Sequence, residues 1–400
     1  MPIPTSTIRT LNVTSFPAPA KFGVVATGCD LNDLGDAAFK ELEELVYTHR
    51  VVVLKGQKDL LPASQQALGI RFDPETPAEL GHMDQIRGVD TILGKAKTEQ
   101  KPTLPGGWLV NINGSGDFEA GHKGIDHPFT LQGLGHRGFH RDELSQDEID
   151  AGHVRFQRWH IDAPFYKNWP ARVTMLWAHT MPSGEDVTVH WDDGSDLQMK
   201  APPGRTAFVD CVALYNSLTP RQKSWVDNSL VEYAPSPYQW LTGAKAMGNG
   251  LAMFTEGKEK GLENLKDADP AFAQTIPLVW LNPVTGEKAL QVHAIIAYKI
   301  HYRENPEDAF KIIEDLGTVR KILDDLQRPF FKPENVVFPP AEEGDMILFY
   351  NRGVRHSAVE FPASRGPRLL HQLQLVGSDP PFAPAPIEGL PYRIPVVATA

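Results

Sequence analysis

Four hundred residues, 41% of them hydrophobic, supply apolar side chains for one large core or two modest ones. A formal charge of −11 argues against a nucleic-acid or anionic-membrane partner, since either selects a basic face. Two cysteines, Cys29 and Cys211, allow at most one disulfide. The expected setting is therefore reducing and cytoplasmic; the first twenty residues lack a signal-peptide pattern, and no apolar run approaches membrane-spanning length.

The 34 prolines and 33 glycines are spread along the chain, which points to one domain with long excursions. From Asp36 to His49, apolar residues at Phe39, Leu42, Leu45 and Val46 predict an amphipathic helix. It runs into Val51–Leu54, a β-branched strand. Further strands are expected at Trp108–Ile112, Val173–Ala178, Thr206–Val209, Thr275–Leu281, Ala289–Ile296, Met346–Tyr350 and Leu369–Val376. Pro277 demotes the one at Thr275 to an edge. Helical spacing at Ala309, Ile312, Ile313, Leu316, Val319 and Ile322 predicts a second helix over Pro306–Asp325. Short strands between Gly/Pro turns, with a few helices, suggest a mostly β sandwich or jelly roll with helical additions.

His-x-Asp occurs four times, at His82/Asp84, His140/Asp142, His160/Asp162 and His190/Asp192. For an arbitrary copy, a surface pair or a capping Asp is the more frequent explanation. Only His160 has an apolar, aromatic context, with Trp159 before it and Pro164, Phe165 and Tyr166 after. Strand alternation puts His160 and Asp162 on one face. An imidazole and a carboxylate side by side are two members of a 2-His-1-carboxylate triad, which leaves open positions on iron for a cosubstrate and O2. Downstream, a turn, the strand Met346–Tyr350 and a second turn lead to His356. By itself this is more often a hydrogen-bonded structural histidine. Twelve residues later, Arg368 opens an apolar strand. Such an arginine is usually a rim residue, yet its planar fork also suits a carboxylate.

In chain order, these pieces resemble the TauD/TfdA family of Fe(II)/2-oxoglutarate oxygenases. Gly23–Leu31 resembles the family's opening strand and turn, Trp159–Asp162 its Trp-His-x-Asp motif, and Asn282–Leu290 its Pro-x-Thr-Gly-x-x-x-Leu signature. The Gly344-Asp345 turn, the Asn351-Arg352-Gly353 turn, His356 and Arg368 follow in family order. The resemblance covers roughly residues 20 to 376 and implies a double-stranded β-helix, a cupin-like jelly roll. It implies that His160, Asp162 and His356 bind Fe(II), that Arg368 pairs with 2-oxoglutarate, and that O2 is consumed. It also places Thr206 beside the same cosubstrate carboxylate, with Thr188 as the alternative because of the insertion from Gly184 to Arg205. A small-molecule substrate is implied, and oligomeric state is left open.

Taurine-type members carry a second arginine four residues after the first; here that position is Gln372. The chain is similar to a fungal branch containing xanthine dioxygenases, sharing Arg158–Ala163 and a long insertion. It departs from them at Gln132, where they carry a lysine, and at Gln374, where they carry an asparagine. Losing a cation disfavours a purine anion. The expectation is therefore a branched α-amino acid such as valine, undergoing ring closure to an aziridine or hydroxylation. The alternative is xanthine 8-hydroxylation; a metal-binding jelly roll without turnover is a third reading. Ile347 and Phe349 are candidate walls for an aliphatic side chain, although core packing is their commoner use. Arg158 could meet a substrate carboxylate or form a structural ion pair. Asn111 and Asn113 line the pocket or form a turn before Gly114; Gln132, Gln372 and Gln374 complete the candidate substrate set.

Overall fold

A computed structural model of the chain describes residues 10–77, 90–92, 94–95, 103–133, 138–255, 257–388 and 390. His82 and Asp84 lie outside them.

Eleven strands frame the site. In chain order they are β1 (Asn12–Ser15), β2 (Val24–Thr27), β3 (Val51–Leu54), β4 (Asn111–Phe118), β5 (Phe129–Gln132), β6 (Val173–Thr180), β7 (Thr206–Asp210), β8 (Val336–Val337), β9 (Met346–Tyr350), β10 (Val354–Ala358) and β11 (Arg368–Gln374). An eight-stranded sheet runs β1-β2-β3-β9-β6-β11-β4-β5, and a three-stranded sheet runs β8-β7-β10. Only the β2–β3 pair is parallel within the large sheet. The architecture is the expected jelly roll.

The period-2 geometry of a strand explains how both faces of the large sheet are covered. Along β9, Ile347 and Phe349 point inward and share a cluster with Phe208, Val337 and Val354 of the smaller sheet. Met346 and Leu348 point outward with Leu42 and Val46 of α1 (Asp36–His49). The outer face of the smaller sheet, with Val209 and Val336, meets a third cluster built from the long insertions, including Trp159, Ile161, Val231 and Ile300.

Local signals and tertiary pairing agree for α1, β3 and β9, which span the expected residues. Elsewhere pairing overrides pattern. The strand expected at Trp108–Ile112 is β4, shifted to Asn111–Phe118. It runs through Gly114 because β11 lies against it: a Cβ there would sit 1.7 Å from the Arg368 carbonyl oxygen. Thr275–Leu281 divides at Leu278 into Thr275–Pro277, an edge strand, and Val279–Leu281. Ala289–Ile296 is a short strand, Lys288–Leu290, and a later 3-10 turn at Ala294–Ile296. The helix expected over Pro306–Asp325 is α2 (Leu316–Gln327), and Lys311–Ile313 is an edge strand instead. The Asp315 carboxylate accepts from the Thr318 N–H at 2.8 Å and caps the helix there. Upstream, β-branched Ile312 and Ile313 pair with His301 and Ile300.

Candidate active site

The segment around His160 is laid against β10 by reciprocal backbone bonds. His160 N–H donates to the His356 carbonyl at 3.0 Å, and His356 N–H to the His160 carbonyl at 3.1 Å. These two residues therefore stand directly opposite each other, with ring centroids 4.0 Å apart. Asp162 is held by Asn351: the Asp162 N–H donates to Asn351 Oδ1 at 2.9 Å, and Asn351 Nδ2 donates back to the Asp162 carbonyl at 2.9 Å. Arg352, in the same turn, ties it down by donating to the Pro170 and Asp379 carbonyls at 2.9 and 2.7 Å. The Asn-Arg-Gly turn is thus a clamp for the histidine strand and the aspartate loop together.

The outcome is a half-ring of donors. Asp162 Oδ1 lies 3.6 Å from His160 Nε2 and 3.5 Å from His356 Nε2. Ligands about 2.1 Å from one ion stand roughly 3.0–3.4 Å from each other, so the three fit a shared metal. His160 Nδ1–H donates to the Arg158 carbonyl at 3.1 Å, which leaves the Nε2 lone pair facing the others. Burial, then the His356 ring and the Arg158 guanidinium, hold the His160 pKa well below its ordinary value, so the ring is neutral, the form that can bind a metal. Among the described residues this is the one group of three His, Cys, Asp or Glu side chains whose ligand atoms converge for a metal.

The other His-x-Asp pairs within the described residues do different work. His140 Nε2 bonds the Gln157 carbonyl at 3.0 Å, buried and structural. His190 pairs with His153 at 2.9 Å on the surface.

Arg368, at the start of β11, donates from Nε to the Gly204 carbonyl at 2.7 Å and from Nη2 to Thr206 Oγ1 at 3.4 Å. No described carboxylate is paired with it. Burial, reinforced by the Arg205 guanidinium, pushes its pKa down to about 10, so it stays a cation in need of an anion. Thr188 is remote in role: its hydroxyl, exposed on the insertion, accepts from Lys200 Nζ at 2.7 Å. Thr206 is the threonine brought to Arg368.

The candidate substrate residues divide. Asn111 stands opposite Gln372 across β4 and β11, and Asn113 Nδ2 donates to Gln372 Oε1 at 2.6 Å. Gln372 Nε2 reaches Asp162 Oδ2 at 3.3 Å, and the Gln374 amide nitrogen faces both Asp162 oxygens. Gln132 is exposed at the sheet edge in the cross-strand row of Ser115 and Arg368. Arg158 is buried beside His160. Ile347 and Phe349 do not form an open wall. Phe349 has no exposed surface and packs 4.8 Å from His356 and 5.0 Å from Phe208 between ring centroids; Ile347 shares its cluster. They shape the core behind the site, because their strand faces the smaller sheet. Sequence reading missed Tyr238 and His293, which adjoin Arg158 and His160 from distant segments and carry no local motif.

Residues 111–374 match the family model described as Taurine catabolism dioxygenase TauD, TfdA family. The chain belongs to the TauD/TfdA family. It is accordingly a dioxygenase that uses Fe(II), 2-oxoglutarate and O2. Among relatives, it is 38% identical to an alpha-ketoglutarate-dependent xanthine dioxygenase of Emericella nidulans, over 90% of this chain and 93% of the relative. It is 35% identical to an alpha-ketoglutarate-dependent dioxygenase of Alternaria brassicicola, over 88% and 89%. The crystal structure of AAD-2 in complex with Mn(II) and N-oxalylglycine shares the fold, with a TM-score of 0.53 at 16% identity, covering 93% of this chain and 99% of that one. No helix among the described residues is long and apolar enough to cross a membrane.

Proposed function

We propose that His160, Asp162 and His356 hold the Fe(II), that Arg368 and Thr206 hold the distal carboxylate of 2-oxoglutarate, and that the substrate is an oxidised purine of the xanthine type, hydroxylated at C8. When bound, the metal centre would activate O2, one oxygen atom of which enters the substrate C–H bond as hydroxyl while the other enters 2-oxoglutarate, which leaves as succinate and CO2. The protein's residues position and exclude. Arg368 fixes the cosubstrate by charge, and Phe208 and Phe349 keep water from the inner side of His356.

The observation that carries the purine reading is the row of amides beside Asp162. Gln372, Gln374 and Asn113 are uncharged groups that both donate and accept, which matches the alternating N–H and C=O edge of a purine dione. The name of the Emericella relative supports it; that of the Alternaria relative specifies no substrate. The branched amino acid expected from the sequence loses its support, because Ile347 and Phe349 are packed into the core. Cys29 and Cys211 are unbridged, which supports a reducing, cytoplasmic setting.

The test is succinate release with Fe(II), 2-oxoglutarate and either xanthine or valine, with the product examined by mass spectrometry. Xanthine should gain one oxygen. Turnover of valine without turnover of xanthine refutes the purine assignment.

A further inference from the structure

Arg158 is 7% exposed, and its Nε and Nη1 have no hydrogen-bond partner among the described residues. Its backbone is pinned on both sides. The Arg158 N–H donates to Ser357 Oγ at 3.1 Å, and its carbonyl accepts from His160 Nδ1 at 3.1 Å. Its guanidinium carbon lies 5.8 Å from the centroid of the buried Tyr238 ring. The Tyr238 hydroxyl bonds His293 Nε2 at 3.2 Å, and the Tyr233 hydroxyl accepts from the His293 N–H at 3.0 Å. His293 has no exposed surface, and its Nδ1 also lacks a partner among the described residues. The His160 and His293 rings are 6.3 Å apart between centroids, so this cluster adjoins the metal ligands.

A guanidinium stays charged under all ordinary conditions. Burying one without an anion is costly, and the cost falls when an anion arrives. Among the described residues no carboxylate is paired with Arg158. The cosubstrate does not meet this need, because its distal carboxylate is assigned to Arg368 near Gly204 and Thr206.

We infer that Arg158, backed by Tyr238 and His293, receives a negatively charged group of the substrate, so that the enzyme selects an anion over its neutral counterpart. The inference rests on the proposed function and deepens it. Gln132 offers no charge to a purine, whereas Arg158 supplies the cation that stabilises its ionised N–H edge, and it would serve a carboxylate equally well.

The experiment measures binding by calorimetry to protein loaded with Mn(II) and N-oxalylglycine. The probes are xanthine against the less acidic hypoxanthine, and benzoate against benzamide. Binding should favour the acidic member of each pair. Arg158→Ala should weaken that member by at least about 30-fold, as for loss of one partner of a buried charged pair, and shift N-oxalylglycine affinity by less than about 3-fold. Millimolar guanidinium should restore part of the loss, and Arg158→Lys should keep part of it. Equal binding of acid and neutral probes, binding of no acid, or equal losses for probe and N-oxalylglycine overturns the inference. Benzoate binding that depends on Arg158, with no binding of xanthine, upholds the inference and refutes the purine assignment alone.

Discussion

With the Gln374 amide oriented so that its donor rather than its oxygen meets a carboxylate, its nitrogen lies 2.9 and 3.0 Å from the two oxygens of Asp162. Strand β11 therefore holds the Asp162 carboxylate, while Asn351 holds the Asp162 backbone. A ligand fixed this way loses little freedom when a metal binds.

Replacing that amide should loosen the metal. Gln374→Leu is expected to lower Fe(II) affinity by about 10–100-fold, the usual range for an outer partner of a ligand. A competition assay with a metal-sensitive dye measures it. Unchanged metal affinity would show that Asn351 suffices.

Arg368 is the proposed anchor of the cosubstrate. Arg368→Ala should raise the 2-oxoglutarate KM by at least about 30-fold, because a buried carboxylate loses its charged partner. The substrate KM should change far less. Parallel rises in both would indicate a distorted fold.

Arg355 neighbours His356 but points to the opposite face of β10. It is wholly buried, and among the described residues its Nε, Nη1 and Nη2 make no hydrogen bond to nitrogen or oxygen; it lies against the Phe331 ring at 5.2 Å, with the Cys211 thiol nearby. Burial pushes its pKa below the ordinary arginine value. Arg355→Met should stabilise the protein by about 1–4 kcal/mol, since an apolar chain of similar length avoids the desolvation of a charge. Thermal melting should show a higher Tm; a lower one would mean the guanidinium has a role the packing does not reveal.

His122 and His371 share a bond between their Nε2 atoms at 2.8 Å behind the large sheet. Burial, with the neighbouring histidines and Lys123 adding to it, lowers His371 to about 3 and His122 to about 4. Both rings are neutral when folded and take up protons on unfolding once the pH falls below about 6.5. Their contribution to stability is therefore present near neutrality and is lost progressively from about pH 6.5 down to pH 3–4. His371→Gln should flatten the pH dependence of the urea midpoint across that window. An unaltered slope would count against burial of these rings.

The convergence of His160, Asp162 and His356, the position of Arg368 beside Thr206 and the β9 strand were legible from the sequence because each sits in a short pattern. Strand alternation places His160 beside Asp162, and an apolar strand bounded by turns delivers His356. What pattern could not supply was everything set by pairing between distant segments. The Gly114 contact with the Arg368 backbone pulls β4 three residues downstream. The cap at Asp315 and the pairing of Ile312 with His301 turn an apparent helix into a strand and a shorter helix. Ile347 and Phe349 are apolar wherever they point; only the smaller sheet packed over them decides that they are core. Arg158 reads in sequence as an ordinary arginine two residues before His160, and the absence of a carboxylate paired with it among the described residues is visible only in three dimensions. A local pattern specifies which side chains share a face, whereas charge balance and pocket walls depend on neighbours contributed by segments far along the chain.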